Sequence, residues 1–442
     1  MAATGPASRA SGPLASAFAI RSESSSGSSY RRDLSATGSN GSSAANLSSG
    51  SFTTHSSLSE LLKEFDYDAL ILDQFGVLHN GKNALEGTID CVERIALGKK
   101  DNTENGDVAH TKQKKLRLIV LSNTSSPAAT TLERLQTKLG FDRSHFCGAV
   151  TSGEEAARHI RETYGTKKDN GHSRKFVWCT WDPSNENVPD PNAFLDLCGP
   201  NVEPTVDVSG ADFVVAHGSG AIRGFGGDGG GDVSGEHEII SMGGFLDDGN
   251  LQKGTPISDL LERCSRRNLP LVCANPDTVV QYHDGSLKHM PGKIARRYKE
   301  ILEERRNGRD RENEATTSKD DPLPTPLPSI TIYGKPHTEH FEACLRELEE
   351  DRRRDDDEKS PLRVAHVGDS LHHDVAGAND SGIPSIFIVG GIHAHELISE
   401  TTSGDGEGEL SSSRTMPSQE TLRKFFDREG ITPTHVLSVF NY

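Results

Sequence analysis

The chain has no uninterrupted apolar run approaching the ~20 residues of a membrane-spanning helix, so no such helix is expected and the protein reads as soluble. It also has no Cys-x-x-Cys pair. Its seven cysteines (Cys91, Cys147, Cys179, Cys198, Cys264, Cys273 and Cys344) are scattered and odd in number, which argues against a disulfide framework or a zinc site and for reduced thiols. Positive charge is in short supply: 48 Lys+Arg against 65 Asp+Glu leave a formal net charge of -17, so a nucleic-acid backbone would be repelled by the protein as a whole. Apolar residues make up only 33% of the chain, below the usual globular share, which predicts solvated insertions or tails around a normal core. At 442 residues there is still room for two or more domains.

Acidic residues are nearly missing from residues 1–57, where Ser, Ala, Gly and Thr dominate and Arg9, Arg21, Arg31 and Arg32 face only Glu23 and Asp33. Two readings stay open: a transit peptide addressed to a plastid or mitochondrion, or a plain disordered tail on a cytoplasmic protein. Pro13 to Ile20 is too short and too interrupted for the apolar region of a secretory signal.

Beyond the tail, short apolar runs end in polar residues, the form of buried parallel strands. Ala69 to Leu72 ends in Asp73, Leu116 to Leu121 in Ser122, Ser329 to Tyr333 in Gly334-Lys335, Val364 to Val367 in Gly368-Asp369, and Ser385 to Val389 in Gly390-Gly391. Helical spacing of apolar residues alternates with them over Thr131 to Leu139, Gly292 to Arg305, His337 to Glu349 and Ser418 to Arg428, with a short helix at Leu58 to Phe65. The alternation predicts an α/β fold with a doubly wound parallel sheet, whose ligands bind beyond the carboxyl ends of the strands. Five such tips imply one composite site. A second alternation fills residues 151–270, with helices at Gly153 to Tyr164 and Pro256 to Arg267 and strands at Phe176 to Thr180 and Asp212 to Ala216. It is expected to be an inserted α/β cap domain between a first core part, 58–150, and a second, 271–442. Loop expansions are expected at Lys99 to Lys115, Gly218 to Gly235, Asn307 to Leu327 and Asp351 to Lys359, from their charge or glycine content. Gly218 to Gly235 lacks the lysine of a phosphate-binding loop and runs into Glu236 and Glu238, so no nucleotide loop is expected there.

The tips also carry chemistry. Asp73 stands where a strand ends and Gly76 lets the chain turn, a placement from which a carboxylate can attack phosphorus or hold a cation. Asp369 and Asp374 in Gly368-Asp369-Ser370-Leu371-His372-His373-Asp374 supply the carboxylate oxygens that a hard cation such as Mg²⁺ takes alongside water and substrate phosphate. Lys335, between Gly334 and Pro336, is a point charge suited to neutralising an attacking carboxylate and a phosphoryl oxygen. Ser122, Asn123 and Thr124 offer hydroxyl, amide and backbone N–H donors for the remaining phosphate oxygens.

In this order the residues resemble the four motifs of the haloacid-dehalogenase (HAD) superfamily: Asp73 in the first, Ser122 in the second, Lys335 in the third, Asp369 and Asp374 in the fourth. Cys273-Ala274-Asn275-Pro276-Asp277, Pro291-Gly292-Lys293-Ile294-Ala295 and Thr151-Ser152-Gly153-Glu154 are similar to class IIA members, the group of 4-nitrophenylphosphatases and phosphoglycolate phosphatases. That group carries a large α/β cap between its second and third motifs. The stretches Asp73 to His79 and Gly391 to Leu397 resemble a hydrolase-like subfamily within it, and the resemblance spans Tyr67 to Leu397. It implies a Mg²⁺-dependent phosphatase for a small phosphorylated metabolite, with Asp73 as nucleophile, Lys335 as charge partner and phosphate ligand, and Mg²⁺ held by Asp73, the Phe75 main-chain carbonyl, Asp369 and Asp374.

One position departs from the pattern. HAD phosphatases place a second Asp two residues after the nucleophile, as acid to the leaving group and base to water; here it is Phe75. General acid–base help is worth ~10²- to 10⁴-fold in rate, so alkyl phosphates should turn over poorly unless another group substitutes. His79, His337, His372 and His373 stand near the motifs, though histidines in such places are more often structural hydrogen-bonders. The alternative to an enzyme is therefore a phosphometabolite-binding or regulatory protein. A dehalogenase would need the Asp nucleophile but no metal, which Asp369 and Asp374 argue against.

Overall fold

The computed structural model describes residues 51–98, 114–182, 185, 188–224, 238–241, 246, 251–281, 287–314, 326–355, 360–401 and 416–442. Its strands, in chain order, are β1 (Thr53–Thr54), β2 (Ala69–Leu72), β3 (Arg117–Ser122), β4 (Gly148–Thr151), β5 (Arg174–Thr180), β6 (Val202–Thr205), β7 (Phe213–Ala216), β8 (Ala221–Gly224), β9 (Glu238–Ser241), β10 (Leu271–Cys273), β11 (Val279–Gln281), β12 (Leu287–His289), β13 (Ile330–Ile332), β14 (Val364–Gly368), β15 (Ser385–Ile388) and β16 (His435–Leu437).

Seven of them form a core sheet in the order β1-β16-β15-β14-β2-β3-β4, parallel throughout. β2 and β14 are fully buried along their length, as expected of central strands covered on both faces. One face packs Leu70, Leu72, Leu118, Val120, Ala365 and Val367 against the helix Thr88–Leu97 and its neighbours. The other packs Ile71, Ile119 and Leu121 against Phe341, Cys344 and Leu348 of the helix Thr338–Asp355. Each fully buried aliphatic chain contributes roughly 1.5–3 kcal/mol, so this double covering is what fixes the strand tips in place. The expected α/β fold with a doubly wound parallel sheet is the one observed.

A second sheet, ordered β13-β10-β7-β5-β8-β9 with β6 also on β5, is parallel except at β8 and β9. It has its own apolar layers, one of which buries Phe176, Trp178, Phe194 and Phe213. The boundary expected at residue 270 falls inside this sheet, because β10 pairs with β7 and β13 pairs with β10. The strand expected at Ser329 to Tyr333 therefore belongs to the second sheet, and four of the five expected tips, not five, lie on the core sheet.

Other expectations need correction. Residues 51–57, assigned to the tail, are built into the core: β1 pairs with β16, Phe52 packs edge-on against Phe426 with ring centroids 5.0 Å apart, and the Ser57 hydroxyl caps the helix Leu58–Glu64. The parallel sheet would otherwise leave β16 as an open edge. Residues 307–314 and 351–355 are not loop but the last turns of the helices Pro291–Glu314 and Thr338–Asp355, whose Glu- and Arg-rich sequences have high helix propensity. Ala221 to Gly224, expected in a glycine-rich loop, is strand β8. The transit-peptide reading of residues 1–50 lies outside the described residues, as do the loop readings of 99–113, 225–235, 315–325 and 356–359. No helix among the described residues is long and apolar enough to cross a membrane.

Candidate active site

The carboxyl ends of β2, β3 and β14 converge with the segment after β13. Asp73 directly follows β2, and its amide donates to the Val367 carbonyl, 2.9 Å away, so the pairing of β2 with β14 runs into the site itself. The next turn closes when the Gly76 amide donates to the His79 carbonyl at 2.9 Å. Gly76 has φ +79°, and a Cβ there would collide with the Asp369 carboxylate. Both facts require glycine: a left-handed backbone and a close approach between two motif loops.

Lys335 lies at the centre. Its Nζ is 2.6 Å from Asp73 Oδ1 and 2.7 Å from Asp374 Oδ1, and all three side chains are almost wholly buried. The lysine is aimed by Asn123, whose Oδ1 accepts from the Lys335 amide at 2.7 Å while its Nδ2 donates to the Lys335 carbonyl at 3.3 Å and to Asp277 Oδ1 at 2.8 Å. Gly334 (φ +122°) permits this clasp, since a Cβ would strike Asn123 Oδ1 and Pro276. The Asn123 side-chain amide, expected to contact phosphate, is thus committed to holding Lys335; its backbone N–H is what it can still offer a ligand. Ser122 is buried at the end of β3, and its hydroxyl accepts from the Thr124 amide at 3.3 Å.

Asp369 and Asp374 meet Asp73 as expected: carboxylate oxygens of the three lie within 4.8 Å of one another. Asp369 Oδ2 accepts from the Ile392 amide beyond β15 at 2.8 Å. Asp374 Oδ2 accepts from the Ser370 amide at 3.0 Å, and its Oδ1 faces His366 Nε2 at 2.9 Å. Burial pushes Asp73 up to about 7, with the Lys335 charge opposing and the Asp374 charge adding. Asp369 is raised well above the carboxylate range by burial and then by the charges of Asp73 and Asp374. Asp374, despite its burial, is held below that range by Lys335 and His366. The site therefore sets three carboxylates against one ammonium in a place with little water. The protein's own groups leave negative charge uncompensated, and a divalent cation with hard-oxygen preference fits that donor set.

Phe75 is half-buried; its ring lies against Gly81 and edge-on to His79, with ring centroids 5.9 Å apart. Of the four histidines singled out, His79 is buried, accepts from the Gly81 amide at 3.0 Å, and is taken by burial down to about 4. It is neutral near pH 7 and has no surplus proton to give. His372 pairs with Glu429 at 3.2 Å, and the His337 amide donates to the Gly334 carbonyl at 3.1 Å. His373 alone among them joins the network beside Lys335, its Nδ1 3.4 Å from Asp277 Oδ1. Two participants escaped the sequence reading. Asp277 was visible only as part of a motif, and His366 only as a polar residue inside the apolar run of β14.

Two family models match the chain: haloacid dehalogenase-like hydrolase over residues 70–182, which contains Asp73 and Ser122, and HAD-hydrolase-like over residues 332–405, which contains Lys335, Asp369 and Asp374. The two matched segments are therefore haloacid-dehalogenase-like hydrolase segments, and between them they hold every residue of the carboxylate–lysine cluster. Among solved structures, a haloacid dehalogenase-like hydrolase from Brucella suis 1330 is 22% identical with a TM-score of 0.51, covering 87% of this chain and 99% of its own. A possible sugar phosphatase of the HAD superfamily from Cytophaga hutchinsonii is 15% identical with a TM-score of 0.52, covering 89% of this chain and 100% of its own. At such identities the likeness is one of fold. No curated protein matches the chain.

Proposed function

We propose that the protein is a Mg²⁺-dependent phosphatase of class IIA type that acts on a small phosphorylated metabolite through an aspartyl phosphate on Asp73. The observation that carries this reading is the buried cluster in which Lys335 bridges Asp73 and Asp374 at 2.6 and 2.7 Å with Asp369 alongside. Asp73, Asp369, Asp374 and the Phe75 main-chain carbonyl are the groups that would hold the ion, and the ion would neutralise phosphoryl oxygens and draw the ester into line.

The chain's own groups account for the rest. A carboxylate oxygen of Asp73 forms a bond to phosphorus as the ester P–O bond breaks and its electron pair leaves with the alcohol oxygen. Lys335 faces the charge that develops there, and it stays protonated because Asp374 and Asp73, outweighing its burial, hold its proton. Ser122 and the backbone N–H groups after β3 orient the remaining oxygens. Water then attacks phosphorus, releasing inorganic phosphate and restoring Asp73. Phe75 brings no proton to the leaving oxygen, so esters that leave as stabilised anions are favoured. The second sheet, which extends past residue 270 to β13, would supply substrate choice. The binding-only alternative has the Phe75 substitution in its favour but leaves the retained nucleophile, lysine and metal acids without a task.

The test is the initial rate on 4-nitrophenyl phosphate with and without Mg²⁺, for the wild type and Asp73→Asn. Mg²⁺-dependent hydrolysis that disappears in the variant is expected. A wild type with no turnover on this ester overturns the reading.

A further inference from the structure

His366 sits in the middle of β14 with no exposed surface, flanked by Ala365 and Val367, where an apolar residue would serve a parallel sheet better. Its ring is held on three sides. Nδ1 lies 3.1 Å from the Ile71 carbonyl, Nε2 lies 2.9 Å from Asp374 Oδ1, and the Phe341 ring packs edge-on with centroids 5.1 Å apart at 85°. Ile71 is the β2 residue paired with His366 and stands two positions before Asp73. Asp374 lies in the wide turn Leu371–Val375 beyond β14, and its Oδ2 is fixed by the Ser370 amide.

We propose that His366 is a positioning residue: its Nε2 donates to the Asp374 carboxylate and fixes that carboxylate, with Lys335 upon it, relative to Asp73, while β14 and the Phe341 ring hold the imidazole in place. A carboxylate hydrogen-bonded only through Ser370 and Lys335 can still turn about its terminal bond, and Lys335 follows it. The third contact removes that freedom. Residues that orient a metal carboxylate from behind commonly alter metal affinity by about 10- to 100-fold when replaced. The inference rests on the metal-dependent reading above.

Two replacements separate the ring's two contacts. In His366→Gln the amide nitrogen takes the place of Nε2 and reaches Asp374; in His366→Asn it takes the place of Nδ1 and reaches only the Ile71 carbonyl. Calorimetric Mg²⁺ titration of the full chain is expected to give an affinity near wild type for the Gln variant and about 10- to 100-fold weaker for the Asn variant. At saturating Mg²⁺ the KM for 4-nitrophenyl phosphate should be unchanged in both, and metal-free melting temperatures should be alike. Wild-type Mg²⁺ affinity in the Asn variant, or equal losses in both, overturns the proposal, as does a wild type that binds no Mg²⁺. Because affinity is measured directly, failure of the phosphatase reading shows separately, as wild-type Mg²⁺ binding without ester turnover.

Discussion

At the amino end of the core sheet His435 opens β16 with both ring nitrogens engaged: Nε2 is 2.9 Å from the Tyr67 hydroxyl and Nδ1 is 2.7 Å from Thr53 Oγ1. Thr53 Oγ1 is also 3.0 Å from His55 Nε2, and the Phe65 ring lies 4.4 Å from that of His435. Every member is neutral near pH 7, because burial takes His435 down to about 4 and lowers His55. At the carboxyl end, Asp73, Asp369 and Asp374 are as deeply buried but share a single lysine. The first cluster is complete in itself; it stitches the two-residue strand β1 onto β16 and asks nothing of the solvent. The second is incomplete, and on the proposed function a cation and a phosphate would complete it. Burial of polar groups therefore marks function only where the protein's own partners fall short.

Neutralising one carboxylate is the most severe way to break this contrast. Asp73→Asn should lower 4-nitrophenyl phosphate turnover on the order of 10⁴-fold or more, as loss of a nucleophile does elsewhere. The same variant should melt higher than the wild type in chelator at pH 8. Asp73 is raised from 3.8 to about 7 in the folded protein, so its contribution to stability is full below 3.8 and is lost as pH rises through about 7. Asparagine carries no such loss. A metal-free melting temperature at pH 8 that falls instead would mean the Lys335 contact outweighs the crowding.

Phe75→Asp sharpens the contrast from the other direction by adding a fourth acid. Turnover of alkyl phosphates should rise by about 10²-fold, the lower range of general acid catalysis, while 4-nitrophenyl phosphate changes little because its leaving group needs no proton. Equal changes on both esters would assign the effect to something other than proton transfer.

Much of this site is legible in the sequence, for a physical reason. Buried parallel strands are continuous apolar runs, so Ala69 to Leu72 and Val364 to Val367 point directly at Asp73 and Asp369. The apolar run before Lys335 was equally visible, but nothing in three residues says which sheet will accept them, and β13 joined the second. The hold of the Asn123 side chain on Lys335 is not legible in the sequence, because the two residues lie 212 positions apart. Thr53 and Thr54 vanish into a Ser/Thr-rich stretch, and only the edge of β16 makes a strand of them.

A milder break targets the amino-end cluster. His435 titrates at 6.5 when unfolded and about 4 when folded, so its contribution to stability is present above 6.5 and lost as pH falls toward 4. His435→Asn should melt less steeply with acidification over that window. At pH 8 it should be less stable by about 1 kcal/mol, for the lost contact with Tyr67. His79 and His340, both also taken to about 4 by burial, keep part of the acid sensitivity in the variant. An unchanged pH dependence would show that His435 is not among the groups that set it.

The smallest effect belongs to charges at the same end of the sheet that are satisfied by water as well as by each other. Ahead of β2, Asp66 pairs with Arg363 at 2.6 Å and with Lys114 at 2.9 Å, yet its side chain is 64% exposed and those of its partners are 54% and 43% exposed. Exposed pairs of this kind are worth roughly 0.2–1 kcal/mol and are screened by salt. Asp66→Asn should therefore lower stability by less than about 1 kcal/mol, with the difference fading at high salt. Asp68, two residues on, differs in kind. It is 19% exposed and accepts from the Arg363 amide at 2.7 Å, so it ties the entry of β14 to that of β2 through the main chain. Asp68→Ala, which removes the acceptor as well as the charge, should cost more than Asp66→Asn and keep its cost in high salt, as measured by urea unfolding of both variants. If the two lose equally and recover equally with salt, charge alone joins the two strand entries and the backbone contact adds nothing.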